Sequence, residues 1–192
     1  MNLSSEVKGL SLIASGIVNE PGVQSATLTR MKPLTRNPVE LRRASLVRPA
    51  VLLGVLIADR LTKLWAMARL APRPGLPLLP FFHLTYVENT GAAFGIGRSR
   101  NAFFIGLTVA LLGGLMFLRR RWPRHGWLEA GCVLVVGGAL GNLYDRLAYG
   151  FVVDFLDFRV WPVFNLADSC ITMGACCLAW GLSRLEKKAA AL

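Results

Sequence analysis

Two apolar runs, Ala130–Tyr144 and Ser169–Ser183, each hold 15 residues without an Asp, Glu, Lys, Arg or His. The segment between and beside them carries Asp145, Asp154, Asp157 and Asp168. A bilayer's hydrocarbon core takes about 20 residues of helix, so helices built on these runs draw the aspartates to or near membrane depth. A carboxylate there is costly, usually faces a protein interior, and marks a functional site. The pattern predicts a membrane protein that uses carboxylates.

Composition agrees. Hydrophobic residues make up 54% and charged residues only 17%, against about a quarter charged in soluble domains. The formal net charge of +11 raises nucleic acid as a partner. The basic residues instead collect between apolar runs, and no nucleic-acid motif is present. Clusters flanking spans follow the positive-inside rule. Cys132, Cys170, Cys176 and Cys177 lie within the apolar runs at spacings that match no zinc pattern. They read as small apolar packing residues, and no metal is implied.

Residues 1–45 lack both strong periodicity and the order of a secretory signal. They read as a flexible, basic cytoplasmic extension, and Met31 offers an alternative start. Spans are expected at about 46–68, 101–118, 127–147 and 164–185. The first has a clean core of only Pro49–Ala58 and must carry Asp59, Arg60 and Lys63 through its last turns. Asp59 and Lys63, four apart, share a helix face. Pro72, Pro74, Pro77 and Pro80 exclude a helix early in 70–98; Phe81–Val87 reads as a strand and Asn89–Gly91 as a turn. With Arg119, Arg120, Arg121 and Arg124 after span two and Lys187 and Lys188 at the tail, both termini are expected in the cytoplasm. Segments 70–98 and 148–163 are then outside.

This topology brings Asp154, just after span three, and Asp168, opening span four, to one outer face. Two carboxyls in a low-dielectric site cannot both ionise comfortably, so one tends to hold the proton. The ionised partner can then accept a proton from water attacking a carbonyl while the other polarises its oxygen. Asp145 and Asp157 remain candidates from spacing alone. Asp145 reads more plainly as one half of an ion pair with a neighbouring arginine, and Asp157 as a solvated loop carboxylate. Channels or transporters would place acids deep in several helices and carry repeats; here the acids cluster at one interface.

The segments DRLTK (59–63), ENTGAAFGIG (88–97), GGALGNLYDRLAYGFVVDF (137–155) and FNLADSCI (164–171) resemble the lipoprotein signal peptidases, the signal peptidase II family. The likeness runs over about residues 48–185. It implies a membrane all-α fold of four transmembrane helices with a small extracytoplasmic β-cradle, the peptidase domain covering 46–186. It also implies an aspartic endopeptidase that cleaves diacylglyceryl-modified prolipoproteins before the lipidated cysteine.

On this resemblance Asp154 and Asp168 match the catalytic positions. Asn89, Gly91, Asn142 and Arg146 match positions lining the substrate site, Asn165 the polar position beside the second aspartate, and Asp59 and Lys63 a supporting pair. No cofactor is implied, since water is the second reactant. The expected setting is the bacterial inner membrane, the protein a monomer in contact with lipid and with no nucleic-acid partner.

Overall fold

The structure, a computed structural model, describes the backbone of residues 38–91 and 101–190 and the side chains of 46–91 and 101–190. Among these residues the order is α1 (Pro38–Arg69), β1 (Leu76–Leu79), β2 (Phe82–Asn89), α2 (Asn101–Arg121), α3 (Gly126–Tyr149), β3 (Val152–Asp157) and α4 (Leu166–Ala190). The four helices match the expected spans closely. The exception is α1, which begins at Pro38 with Pro49 in its interior. Residues 38–45 therefore belong to a helix rather than to the expected extension. Residues 1–37 and the 92–98 part of the expected β region lie outside the described residues.

Helices α2, α3 and α4 are long and apolar enough to cross a membrane. Charges at Arg48, Asp59, Arg60 and Lys63 keep α1 out of that group. Several of its large apolar residues face outward: Leu46, Leu53, Ile57, Leu61 and Trp65 are all exposed. Helix α2 buries no residue at all, which suits a helix whose outward face meets lipid instead of water.

The most extensive helix contact joins α3 and α4. Glycines let them approach. A Cβ on Gly138 would stand 2.3 Å from the Ala167 carbonyl oxygen, and one on Gly141 would stand 2.5 Å from Asp59 Oδ2. Bare backbone on α3 thus brings the first turn of α4 and the acid of α1 together.

At the C-terminal end of α3, Gly150 takes the left-handed conformation (φ 84°) and its N–H caps the Arg146 carbonyl at 3.2 Å. The chain then turns directly into β3. This strand, where sequence patterning predicts a loop, pairs antiparallel with β2, and β2 with β1. The register sets Val87 opposite Asp154 and Asn89 opposite Val152. The sheet packs on the end of α1 through a core of Ala66, Leu70, Val153 and Phe155. Burial of Val152 through Phe155 on both strand faces anchors Asp154 on a rigid element.

Candidate active site

Asp168 lies in the first turn of α4, held by a reciprocal cap. Its backbone N–H donates to Asn165 Oδ1 at 2.9 Å, while its own Oδ2 accepts the Asn165 N–H at 3.3 Å. This is a capping box in Asn-x-x-Asp form, so the bonds that start the helix also orient the carboxylate. The amide of Asn165, fully buried, then reaches across to β3. Its Nδ2 donates to Asp154 Oδ1 at 2.7 Å, to Asn142 Oδ1 at 3.1 Å and to the Val153 carbonyl at 3.2 Å. One asparagine therefore bridges the two aspartates.

Each aspartate has a further amide donor. Asn142 Nδ2 donates to Asp168 Oδ1 at 2.7 Å and Asn89 Nδ2 donates to Asp154 Oδ2 at 2.9 Å. Asn89 is itself held by an Asx turn in which Oδ1 accepts the Gly91 N–H at 3.0 Å. Asp154 is only 1% exposed. Burial, and next the negative charge of Asp168, push its carboxyl up to about 7, against the opposing Asn89 and Asn165 bonds and the charge of Lys63.

Behind this pair sits a second polar cluster. Lys63, 0% exposed, uses all three donors: to Asp59 Oδ2 at 2.9 Å, to Asp145 Oδ2 at 2.9 Å and to Asn142 Oδ1 at 2.8 Å. Because Lys63 and Asn165 both donate to Asn142 Oδ1, the Asn142 amide has one orientation open to it, with Nδ2 toward Asp168. Asp59 Oδ1 accepts the Ala167 N–H at 3.0 Å, satisfying a donor of the first turn of α4. Asp145 accepts from Arg60 at 3.2 Å and from the Val153 N–H at 3.2 Å. Arg60 also bonds the Tyr149 hydroxyl and lies over the rings of Tyr144 and Tyr149.

The structure thus gathers Asn89, Asn142, Asp154, Asn165 and Asp168 into one bonded group, with Asp59 and Lys63 joined to it. Gly91 and Arg146 join it less directly: Arg146 stacks on Phe104 and reaches the Gly91 carbonyl at 3.4 Å.

Two expectations change. Asp145 pairs with Arg60 and Lys63 of α1 rather than with its neighbour Arg146, because successive helical residues point in different directions. Asp157 is no solvated loop group. It ends β3 at 7% exposure and accepts from Thr85 Oγ1 at 3.2 Å and the Arg159 N–H at 2.8 Å. Burial pushes its carboxyl up, but the Arg159 N–H, the Thr85 hydroxyl and the Arg159 guanidinium together hold it below the usual range. Arg60 is the contributor that sequence reading passed over, although its place beside Asp59 in DRLTK was a signal. Of the four cysteines, Cys132 is buried but Cys176 is exposed, and all are free.

An apolar cavity of about 430 Å³ opens between α2, α3 and α4, with Leu111, Leu112 and Ile171 among its walls and Asn142, Arg146 and Asp168 at its polar end. It is suited to an extended apolar segment whose polar end stops at Asp168.

Residues 51–184 match the family model for signal peptidase (SPase) II. The chain is 44% identical over 138 residues to the lipoprotein signal peptidase of Halothermothrix orenii, covering 71% of this chain and 95% of that one. It is 48% identical over 131 residues to that of Pelotomaculum thermopropionicum, covering 67% and 86%. A solved bacterial membrane enzyme, determined by the in meso method, aligns with TM-score 0.64 at 30% identity over 71% of this chain and 92% of that one. With matches of this length on a fold of the same shape, the chain belongs to the signal peptidase II family.

Proposed function

We propose that this protein is an intramembrane aspartic endopeptidase that removes signal peptides from diacylglyceryl-modified prolipoproteins, cutting before the lipidated cysteine. The observation that carries this reading is the Asn165-bridged pair of aspartates, Asp154 buried and Asp168 half-buried, with Asp168 at the polar end of an apolar cavity. Relatives named lipoprotein signal peptidase support the substrate class.

In this reading Asp154 holds the shared proton. Its carboxyl sits near 7 through burial and the Asp168 charge, and Asp168 acts as base. Water attacks the scissile carbonyl carbon, losing a proton to Asp168 as Asp154 delivers its own proton to the carbonyl oxygen. The tetrahedral diol collapses when Asp168 passes its proton to the leaving nitrogen and the C–N bond breaks. A hydroxyl proton then returns to Asp154. Asn89, Asn142 and Asn165 hold both carboxyls without adding charge, and Arg146 lines the approach. Asp59 and Lys63 support the site from behind.

All four helices cross the membrane, α1 included, because its charges turn inward to partners. Arg119, Arg120, Arg121, Lys187 and Lys188 favour cytoplasmic termini, with the sheet and the aspartates on the outer side. The sheet then serves as the extracytoplasmic β-cradle. Residues 46–186 form the peptidase domain, and the protein acts as a monomer.

The deciding experiment is a gel-shift cleavage assay on a diacylated prolipoprotein in detergent. The parent chain should convert it to mature lipoprotein and free signal peptide, and Asp154→Asn and Asp168→Asn should not. Near-normal turnover by either variant would refute the assignment.

A further inference from the structure

The end of α1 and the start of β1 enclose a cleft of about 290 Å³ walled by Trp65, Arg69, Leu70, Arg73, Gly75 and Leu76. Leu70 is buried and ties the floor to the core under the sheet. Arg69 and Arg73 point into neither of the polar clusters. Among the described residues neither guanidinium has a carboxylate partner, whereas those of Arg48, Arg60, Arg119 and Arg159 each reach one. Both also run against the charge pattern of the chain, lying at the end of α1 that the positive-inside rule assigns to the outside. The α1 dipole rewards a cation in its last turn. That accounts for Arg69 but not for Arg73, which lies beyond the helix.

The neighbouring strand is as unusual. All four residues of β1 are exposed. Leu76, Leu78 and Leu79, with Phe81 of the following turn, are each between 48% and 58% exposed. As the outer strand of the sheet, β1 would ordinarily invite another strand. Pro77 within β1 carries no N–H and Pro80 follows the strand directly, features that discourage pairing. The apolar edge therefore suits side-chain burial without backbone pairing, as in lipid. Trp65, half exposed at the cleft wall, is the residue type that settles at headgroup level.

We propose that the Arg69–Arg73 cleft binds the phosphate of an anionic phospholipid of the outer leaflet, with Leu76, Leu78, Leu79 and Phe81 set among its upper acyl carbons. Two forked guanidiniums complement a phosphodiester. A zwitterionic headgroup brings an ammonium to the same two cations and is disfavoured. Such a contact fixes the sheet, and so Asp154 on β3, at a set height against the membrane surface. The inference rests on the helices being membrane spans; it does not depend on the dyad chemistry.

Native mass spectrometry of the full chain, released from micelles doped with phosphatidylglycerol or phosphatidylethanolamine, tests it. The parent should retain phosphatidylglycerol preferentially. Arg69→Gln/Arg73→Gln should lower that retention about tenfold or more, at about 1 kcal/mol per interfacial arginine, while precursor cleavage in detergent persists. Leu78→Ser/Phe81→Ser should also weaken retention. Soluble glycerol phosphate should fail to displace the lipid; full displacement would mean a free-phosphate site and overturn the proposal. Equal retention by the Gln variant, or no preference over phosphatidylethanolamine, would overturn it too. If the Gln variant misfolds, Arg69→Lys/Arg73→Lys decides: weakened retention in a folded protein upholds the guanidinium site, and retention equal to the parent's refutes it. A parent that binds lipid but cleaves nothing would defeat the peptidase reading alone.

Discussion

Two pairs of carboxylates lie side by side in this bundle, all buried but the half-buried Asp168, and they are solvated in opposite ways. Asp59 and Asp145 meet cations, Lys63 between them and Arg60 on the far side. Asp154 and Asp168 meet neutral amides from Asn89, Asn142 and Asn165, and among the described residues no cation bonds either one directly. Two acids balanced by two bases can all stay ionised in a low dielectric, and such a set holds structure. Two acids among amides cannot both stay ionised, so a proton is retained and remains available for transfer. On the proposed reading, the kind of partner, more than depth of burial, separates a structural carboxylate from a reactive one.

The largest expected effect follows from exchanging the amide-held acids for amides. Asp154→Asn or Asp168→Asn removes the group that takes up or delivers the proton, and cleavage is expected to fall about a thousandfold or more, as for loss of a general acid or base. Folding should survive, because only one amide bond per variant loses its acceptor, at about 1 kcal/mol. Thermal unfolding in detergent beside the gel-shift assay would separate the two effects.

The cation-held pair should break the other way. Lys63→Met leaves Asp59 and Asp145 without the charge between them and is expected to cost about 3–5 kcal/mol. Combining it with Asp145→Asn removes one stranded charge, so the double variant should be more stable than the sum of the single losses predicts. Strict additivity in a double-mutant cycle would mean that Lys63 and Asp145 are not coupled, contrary to their 2.9 Å contact.

Much of this arrangement was legible in the sequence. Apolar runs of 15 residues, each bordered by an acid, foreshadowed α3 and α4, and the four motifs contain all the residues of the amide-held group. What escaped was non-local. That Asp145 would turn from Arg146 to the first helix depends on helical phase and on how closely α1 approaches α3, which no spacing within 137–155 encodes. The strand character of 152–157 escaped because Val152 to Phe155 is apolar on both faces apart from Asp154, so the alternation that marks a half-buried strand is missing. Asp157 was misread for the same reason: a loop would have exposed it, and the strand buries it.

A smaller effect separates the acids within the cation-held pair. Asp145→Asn keeps the shape that accepts the Val153 N–H but deprives Arg60 of its carboxylate and Lys63 of one of two. A loss of about 2–4 kcal/mol is expected, at the lower edge of breaking a buried pair, because Asp59 still neutralises Lys63. Cleavage per folded molecule should remain within about tenfold of the parent, since Asp145 bonds neither Asp154 nor Asp168 and reaches them only through the Val153 N–H and Lys63. An inactive but fully folded Asp145→Asn protein would move this residue into the reactive set and erase the distinction drawn here.

The finest test concerns where the proton sits. With the Asp154 carboxyl near 7, cleavage should decline as pH rises through about 7, when the free enzyme gives up the proton needed by the carbonyl oxygen. Stability carries the same sign. A buried carboxyl raised from the usual 3.8 binds its proton more tightly folded than unfolded, so its contribution is complete below about 4 and is lost as pH climbs to about 7. The Asn89 bond favours the ionised form and lowers this value. Asn89→Ala should therefore shift the alkaline limb of kcat/KM upward, by less than one pH unit for one amide bond of about 1 kcal/mol. Asp154→Asn should flatten the pH dependence of unfolding between 4 and 7. A downward shift in Asn89→Ala would place the retained proton on Asp168 and reverse the two roles.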